Sequence, residues 1–432
     1  MTKAIPVLFA FFVMGFCDIV GISSDYAAKA FGWSSTMASL IPFIIVKKGR
    51  IMNQYMKEVL LGVYMVFCSV AVAQQTITVE NTTDLQRSEL IAISAEQLGV
   101  KPQTNVVVRD VFGIEQQTQW THDGKLLLSV YVRPRGKTSY SIQPGTPALP
   151  GLSWVAGRHY PGRLDDIAFE NDRIGFRLYG PAMQRRGERG FGHDVWVKRT
   201  SELVLDELYR NDPRVSFHLD YGKALDCYGV GPTLGCGTPC MIRDGKIVYP
   251  WCYETYKILD KGPLRFTFQV NFPATADGIT EHRILSLDKG SNFCEAWVWY
   301  TATTPDRLSG IDIAAGLAIR PADPKPVVIG KDYVHYADPT VDPERHQCQI
   351  YTALLFPDAK VTITQMESHA LGILKNYTSG RFHYFFGAAW SEFDVRSQAE
   401  WQLRIEGFME ARRHPLKITV NTQNLENIKH DE

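Results

Sequence analysis

Four carboxylates and two arginines crowd into the stretch RLDDIAFENDR, from Arg163 to Arg173. Side chains of this kind can exchange protons with a substrate or bridge sugar hydroxyls, and they can equally neutralise one another as an Arg–carboxylate network. For Asp165 and Asp166 both readings stand; for Glu170 and Asp172 the network, with Arg163 and Arg173 as partners, is the better one. Two further stretches bring histidines beside carboxylates. GHDVWVK supplies His193 and Asp194, and VSFHLDYGKALDCYGVGP supplies His218, Asp220, Tyr221, Lys223 and Asp226. An imidazole near neutral pKa shuttles protons, and a neighbouring carboxylate orients it. A fourth stretch, ESHALGILKNYTSGRFHYFFGAAWS, offers His369, Arg381, His383, Tyr384 and Trp390. The rings of Tyr384 and Trp390 could stack on a sugar or fill a core. Glu281, His282 and Glu295 lie in strand-like runs and are further acid/base candidates, with solvent-facing positions as their default.

Strands must position these groups. RIGFRLYGP sets Ile174, Phe176 and Leu178 on one face and Arg173, Arg177 and Tyr179 on the other; LRFTFQVNF sets Phe266, Phe268, Val270 and Phe272 against Arg265, Thr267, Gln269 and Asn271. If the first strand runs back without a break, Glu170 and Asp172 fall in line with its apolar residues, where unpaired charge is costly. Before this region, short strands fill residues 74–150, with Asp123-Gly124 as a hairpin signal and IQPGTPALPG as a linker. This predicts a small β-sandwich. Helix is scarce: TSELVLDELYRND is one candidate, and another opens at Ser397, where Ser397 and Glu400 form a capping box, and stops before Pro415. The strand LKITV closes the pattern.

At 432 residues the chain is long enough for two folded units plus processed segments, and its formal net charge is zero. That balance gives no support to nucleic acid as a partner. GVGPTLGCGTP is too rich in proline and lacks the strand-loop-helix setting of a phosphate loop, which excludes nucleotide binding as well. Aromatics make up 12%, including nine Trp and nineteen Tyr, a composition that suits β-sandwich cores and sugar stacking. Beyond Ala73 the cysteines are Cys227, Cys236, Cys240, Cys252, Cys294 and Cys348. Cys236 and Cys240 lack a second close pair or flanking His to complete a metal set, so no metal or cofactor is expected. Small buried thiols, with one bridge at most, are the expectation, and Cys294 shares a strand face with Ala296, Val298 and Tyr300 as a core residue would.

Two amino-terminal segments stand apart from the fold. IPVLFAFFVMGFCDIVGI is an apolar run close to bilayer-spanning length, and FFVMGFCDIVGISSDYAAKAFGWSSTMASLIP resembles the first membrane helix of major-facilitator sugar permeases of the fucose type. From Lys47 the text changes. Lys57, the apolar run Val59 to Val72 and Ala71-Val72-Ala73 before Gln74 read as a complete export signal. The expectation is a permease-like fragment over 1–51, fused ahead of a signal peptide over 52–73. Any membrane association would run through residues 1–46, and the mature chain would be periplasmic.

RLDDIAFENDRIGFRLYGPA, GHDVWVKR, LDYGKALDCYGVGPTLGCGTP, FHYFFGAAWS and SQAEWQLRIEGFMEARRHPLKITV together resemble a secreted domain-of-unknown-function family, number 4861, of polysaccharide-degrading Gram-negative bacteria. The resemblance spans Ile77 to Val420. It implies a mainly β chain, with the small sandwich followed over 151–425 by a large antiparallel supersandwich of the galactose-mutarotase-like kind with few helices. It also implies a genomic association with pectin-related genes. The expected function is an exported carbohydrate-active protein acting on uronate- or rhamnose-containing, pectin-like oligosaccharides as a lyase or hydrolase; the alternative is a non-catalytic glycan-binding accessory protein. In that reading Asp166, His193, His218 and Asp226 carry catalysis, while Arg163, Asp165, Glu170, Arg173, Tyr221, Arg381, Tyr384 and Trp390 hold the glycan.

Overall fold

The computed structural model describes residues 75–148, 151–212, 214, 216–321, 325–341 and 348–422. The permease-like segment, the signal peptide and the cleavage position before Gln74 lie outside the described residues. Across the described chain the protein is mainly β and sandwich-like, with antiparallel pairing throughout its strand ladders.

Alternation of apolar and polar residues builds the small sandwich first. Gln75–Glu80, Lys137–Pro144, Val106–Arg109 and Glu115–Gln116 form one sheet, and Arg87–Ser94, Lys125–Val132 and Thr118–Trp120 form the facing one. Ile77, Val79, Leu126 and Leu128 are fully buried between them. The final strand, Lys417–Thr422, pairs with Gln75–Glu80, so the carboxyl end of the described chain completes this sheet.

The rest is a broad two-layer sandwich. One layer is an eight-stranded sheet in which Arg265–Asn271, Ile279–Asp288, Phe293–Ala302 and Phe382–Trp390 are central neighbours. The other consists of two five-stranded sheets. Sheet I carries Asp166–Asn171, Gly175–Leu178 and Asp194–Lys198; sheet II carries Cys236–Arg243, Lys246–Val248 and Ile311–Ala318. A parallel bridge between His193 and Gly235 joins them. Phe266, Phe268 and Phe386 of the eight-stranded layer meet Phe169 and Phe176 of sheet I in one continuous apolar core. The α-helices among the described residues are α1 (Pro181–Arg185), α2 (Leu205–Asn211) and α3 (Gln398–Arg413).

Helix α2 covers the outer face of sheet I, with Leu205 and Tyr209 packed on Ala168 and Trp196. Helix α3 covers part of the outer face of the eight-stranded sheet, where Trp401, Ile405 and Met409 pack on Phe293 and Phe385. Its start follows the capping-box logic with a small shift. Ser397 Oγ accepts from Glu400 N at 3.2 Å, while the Glu400 carboxylate accepts from Arg396 N at 2.6 Å.

One local expectation changes. The chain does not run straight through 166–178; it turns at Asn171, whose Oδ1 accepts from the backbone N–H groups of Arg173 and Ile174 at 2.9 and 3.0 Å. The resulting hairpin pairs Ala168 with Arg177 and Glu170 with Gly175. Glu170 therefore does not share the apolar face of Ile174 and Phe176 and joins Asp166 on the face beneath α2. The six described cysteines are all free and buried, and no bridge forms among them. Among the described residues no helix is long and apolar enough to cross a membrane.

Candidate functional site

Beneath α2, the hairpin register brings together side chains from well-separated stretches. Arg177 is 3% exposed, and its Nη2 donates to Asp226 Oδ2 at 2.7 Å while also pairing with Asp194. Asp166 Oδ2 lies 3.9 Å from Arg177 Nη1 and accepts from the Tyr209 hydroxyl at 3.3 Å. Three carboxylates around one guanidinium leave a negative surplus that protonation relieves. Burial pushes Asp166 up to about 6 and Asp194 up to about 8, with Arg177 opposing and Asp226 adding to both rises. Tyr179 joins the cluster, its hydroxyl donating to Asp194 Oδ2 at 3.3 Å. His218 stands at the rim, half-exposed, with Nδ1 3.0 Å from the backbone oxygen of Asp226 and 3.6 Å from its carboxylate.

Three of the four expected catalytic residues, Asp166, Asp226 and His218, thus converge. The two aspartates are nevertheless sealed, at 1% and 2% exposure, under Tyr209, Trp196 and Phe217. Such a group holds sheet I to its cover and offers no face to an oligosaccharide.

The expected glycan-holding residues are dispersed. Glu170 accepts from Lys198 Nζ at 2.6 Å and from Leu205 N at 2.6 Å, a buried pair that ties α2 to the sheet. Arg173 binds Asp394 at 2.7 Å, Asp165 takes Arg185 at 3.0 Å, and Arg163 reaches Asp212 at 3.8 Å. Tyr221 is exposed, and Arg381 lies over the Trp299 ring at 4.8 Å. Tyr384 is fully buried, its hydroxyl donating to the Gly237 carbonyl at 2.7 Å, and Trp390 is 2% exposed with Nε1 donating to Cys348 Sγ at 3.0 Å. Neither ring presents a face to a sugar, because alternation in FHYFFGAAW points both into the two-layer core.

The fourth expected catalytic residue leads elsewhere. His193, at the junction of sheets I and II, accepts at Nε2 from Arg283 Nη1 at 2.9 Å. Arginine only donates, so the neutral imidazole carries its proton on Nδ1. Burial first, and Arg283 second, hold His193 well below the usual histidine range. Arg283 Nε donates in turn to Glu281 Oε1, and Glu281 Oε2 accepts from the Tyr300 hydroxyl at 2.8 Å. Glu281 and Tyr300 are direct cross-strand partners, and Arg283 lies two residues along the same face as Glu281. Burial, reinforced by Glu281, raises Tyr300 well above the ordinary tyrosine value, so it remains a proton donor.

This chain of contacts ends at an opening. A pocket of about 250 Å³ lies between the edge of sheet II and the eight-stranded sheet. Glu281 and Tyr300 line its inner part; Tyr249 and Trp251 come from the loop after Lys246–Val248, and Thr275 from the turn before Ile279. Trp251 is 50% exposed. A half-exposed indole beside a buried carboxylate and a phenol is a constellation suited to one sugar ring: a flat apolar face against which a ring can stack, and an acceptor and a donor for hydroxyls.

Glu281 is buried, against the solvent-facing expectation, and the parity of ITEHRILSLD gives the reason. Glu281 and Arg283 share their face with Ile279, Leu285 and Leu287, all nearly or fully buried. Two opposite charges in register with three core aliphatics are the signal that marks this site in the sequence. Trp251 has no such periodic signature. Among the described residues, no group of three or more His, Cys, Asp or Glu is placed to hold a metal ion.

With this geometry in place, comparison with known proteins identifies the family. The chain matches the family described as Domain of unknown function (DUF4861) over residues 79–418, and it belongs to that family. A relative from Formosa agariphila, named Uncharacterized protein P7, is 25% identical over 381 residues, spanning 80% of this chain and 93% of its own length. Among solved structures, an alpha-mannosidase from Enterococcus faecalis V583 has 9% identity and a TM-score of 0.45. A protein in the glycosyl hydrolase family 38 from Enterococcus faecalis has 9% identity and a TM-score of 0.46. Each likeness covers 81% of this chain but 46% and 48%, respectively, of the other, and neither is deep enough to decide fold or activity.

Proposed function

We propose that this chain is an exported carbohydrate-active protein that takes one ring of a rhamnose- or uronate-containing, pectin-like oligosaccharide into the pocket at Trp251. The observation that carries the proposal is Glu281: 7% exposed, tied by Arg283 and Tyr300, and lining a pocket whose loop bears an exposed indole. In this reading Glu281 is the proton acceptor at the bound ring, and Tyr300 becomes the donor by turning its single O–H from Glu281 to the ring. Arg283 and His193 are positioning residues that fix the carboxylate from behind. The Asp166–Asp194–Asp226 group serves the fold.

For a hydrolase, the pair of carboxylates that flank a glycosidic bond would need a second acid beyond those lining the pocket, where Glu281 is the sole carboxylate among the described residues. For a lyase, Glu281 would take the ring proton and Tyr300 would protonate the departing oxygen. The second reading, a glycan-binding accessory protein, is favoured by the engagement of both Glu281 oxygens in the ground state.

Incubation of the chain from Gln74 with pectic oligosaccharides separates these roles. Unsaturated-uronate absorbance would report a lyase, and new reducing ends without it would report a hydrolase. Saturable binding without product would report the accessory role. All three outcomes should be lost in Glu281→Gln and Trp251→Ala; an activity indifferent to both substitutions would remove the pocket from the function.

A further inference from the structure

The pocket's walls say more about its ligand than its donor–acceptor pair does. Apart from Glu281, Tyr300, Tyr249 and Thr275, its lining is hydrocarbon and aromatic: Met241 and Val248, which face each other across sheet II, meet Pro273, Ala274, Ala276 and Ile279 from the opposite turn. No lysine, arginine or histidine is among the described residues that line it. The guanidinium on the same strand face, Arg283, donates to Glu281 through Nε and to His193 through Nη1, and its buried Nη2 has no hydrogen-bond partner. Its remaining space is a neighbouring void of about 10 Å³, room for no more than a water-sized group. A sugar carboxylate entering the pocket would therefore lose its hydration beside the Glu281 carboxylate with no cation in the pocket lining, and the void beside Arg283 Nη2 is too small to admit it. A methyl substituent would instead be buried against Met241, Val248 and the two alanines, where apolar contact is favourable.

We infer that the ring held in this pocket is neutral and bears a methyl group in place of its exocyclic hydroxymethyl or carboxylate, that is, a 6-deoxyhexose of the rhamnose type. The inference rests on the reading of the pocket as a sugar site and narrows it. Any uronate in the same oligosaccharide is bound outside the pocket, which excludes the lyase role for Glu281, since elimination needs the proton beside a uronate carboxylate, and leaves hydrolysis or binding without turnover. A ring of this kind gives Glu281 and Tyr300 the secondary hydroxyls to bind, lays one apolar face on Trp251 and turns its methyl toward the aliphatic wall.

Three methyl glycosides that differ only at C6 test it: L-rhamnose with a methyl, L-mannose with a hydroxymethyl and L-mannuronate with a carboxylate. Their dissociation constants for the chain from Gln74 are measured by NMR titration at neutral pH, with Trp251→Ala and Glu281→Gln in parallel. The expected order of affinity is rhamnoside, then mannoside, then mannuronide, with at least a tenfold gap between the first and last. Binding of the rhamnoside should weaken in both variants. If the mannuronide binds as tightly as the rhamnoside or tighter, and does so in a manner lost with Trp251→Ala, the inference is overturned while the sugar site stands. If none of the three binds, or if binding ignores both substitutions, the sugar-site reading falls and the inference with it. Circular dichroism of the variants confirms that they are folded.

Discussion

Side chains in this protein divide into two ionic assemblies with opposite fates. Around Arg177 the charges are sealed, and replacing the guanidinium by methionine would strand Asp166, Asp194 and Asp226 without a cation. The expected cost is about 3–5 kcal/mol of stability, measured by urea denaturation. The same cluster has a pH signature. Folded Asp166 and Asp194 have pKa values raised to about 6 and about 8, above an unfolded aspartate, so the folded state binds more protons. Their contribution is therefore fully present below about pH 4 and is lost as pH rises through 6 and then 8. Asp194→Asn should flatten the decline between pH 6 and 8 in a melting-temperature series; an unchanged slope would show that the aspartate is already ionised there. Around Arg283 the charges open to a pocket instead. If the site is catalytic, Tyr300→Phe should lower turnover on the order of 10²-fold or more while leaving the melting temperature within a few degrees. The residue-level signals were uneven. His193, Asp166 and Asp226 were visible as polar residues in strand-like runs, but which of them meet depends on a hairpin turn made by Asn171. That turn is made by a side chain binding two backbone N–H groups, with no Gly or Pro to announce it.

At the scale of elements, strand alternation was the most legible feature. The faces assigned to Phe266, Phe268 and Val270 and to Ile174, Phe176 and Leu178 are the buried ones, because a two-layer sandwich needs an unbroken apolar face on each strand. The start of α3 was equally readable, since Ser397 and Glu400 act through contacts within a single turn. Ser397→Ala should cost about 1 kcal/mol in chemical denaturation. A loss near zero would mean that the packing of Trp401 and Ile405 alone fixes the helix start. What could not be read was which strand face would be covered by a helix. The second face of sheet I is lined by Asp166, Arg177, Asp194 and Lys198, a polarity that strand alternation alone does not distinguish from a solvent-exposed face. Helix α2 closes it, because Leu205 and Tyr209 bury their side chains on Ala168 and Trp196 while the carboxylates find partners within the sheet.

Over the described residues, the last strand returns to the first. Lys417–Thr422 extends the sheet that Gln75–Glu80 starts, and Arg87 of the small sandwich donates to the carbonyl of His414 at 2.8 Å. Removing residues 415–432 should therefore loosen the small sandwich as well as the carboxyl end, with earlier proteolysis around Gln75–Glu80. The large sandwich, whose core lies elsewhere, should keep its protection. Sequence pattern indicated both sandwiches but not this closure, since strand pairing over more than three hundred residues leaves no local trace. Export remains a proposal that rests on residues 52–73.

In the proposed function a sugar ring binds at Trp251, Glu281 and Tyr300 and not at the buried aspartates. The most direct measurement is the affinity of a rhamnose-containing pectic oligosaccharide for the chain from Gln74, compared across Trp251→Ala, Glu281→Gln and His218→Ala. Saturable binding weakened at least tenfold by the first two substitutions and unchanged by the third is the predicted result. Binding abolished by His218→Ala and untouched by Trp251→Ala would place the ligand beside Asp226 and contradict the claim.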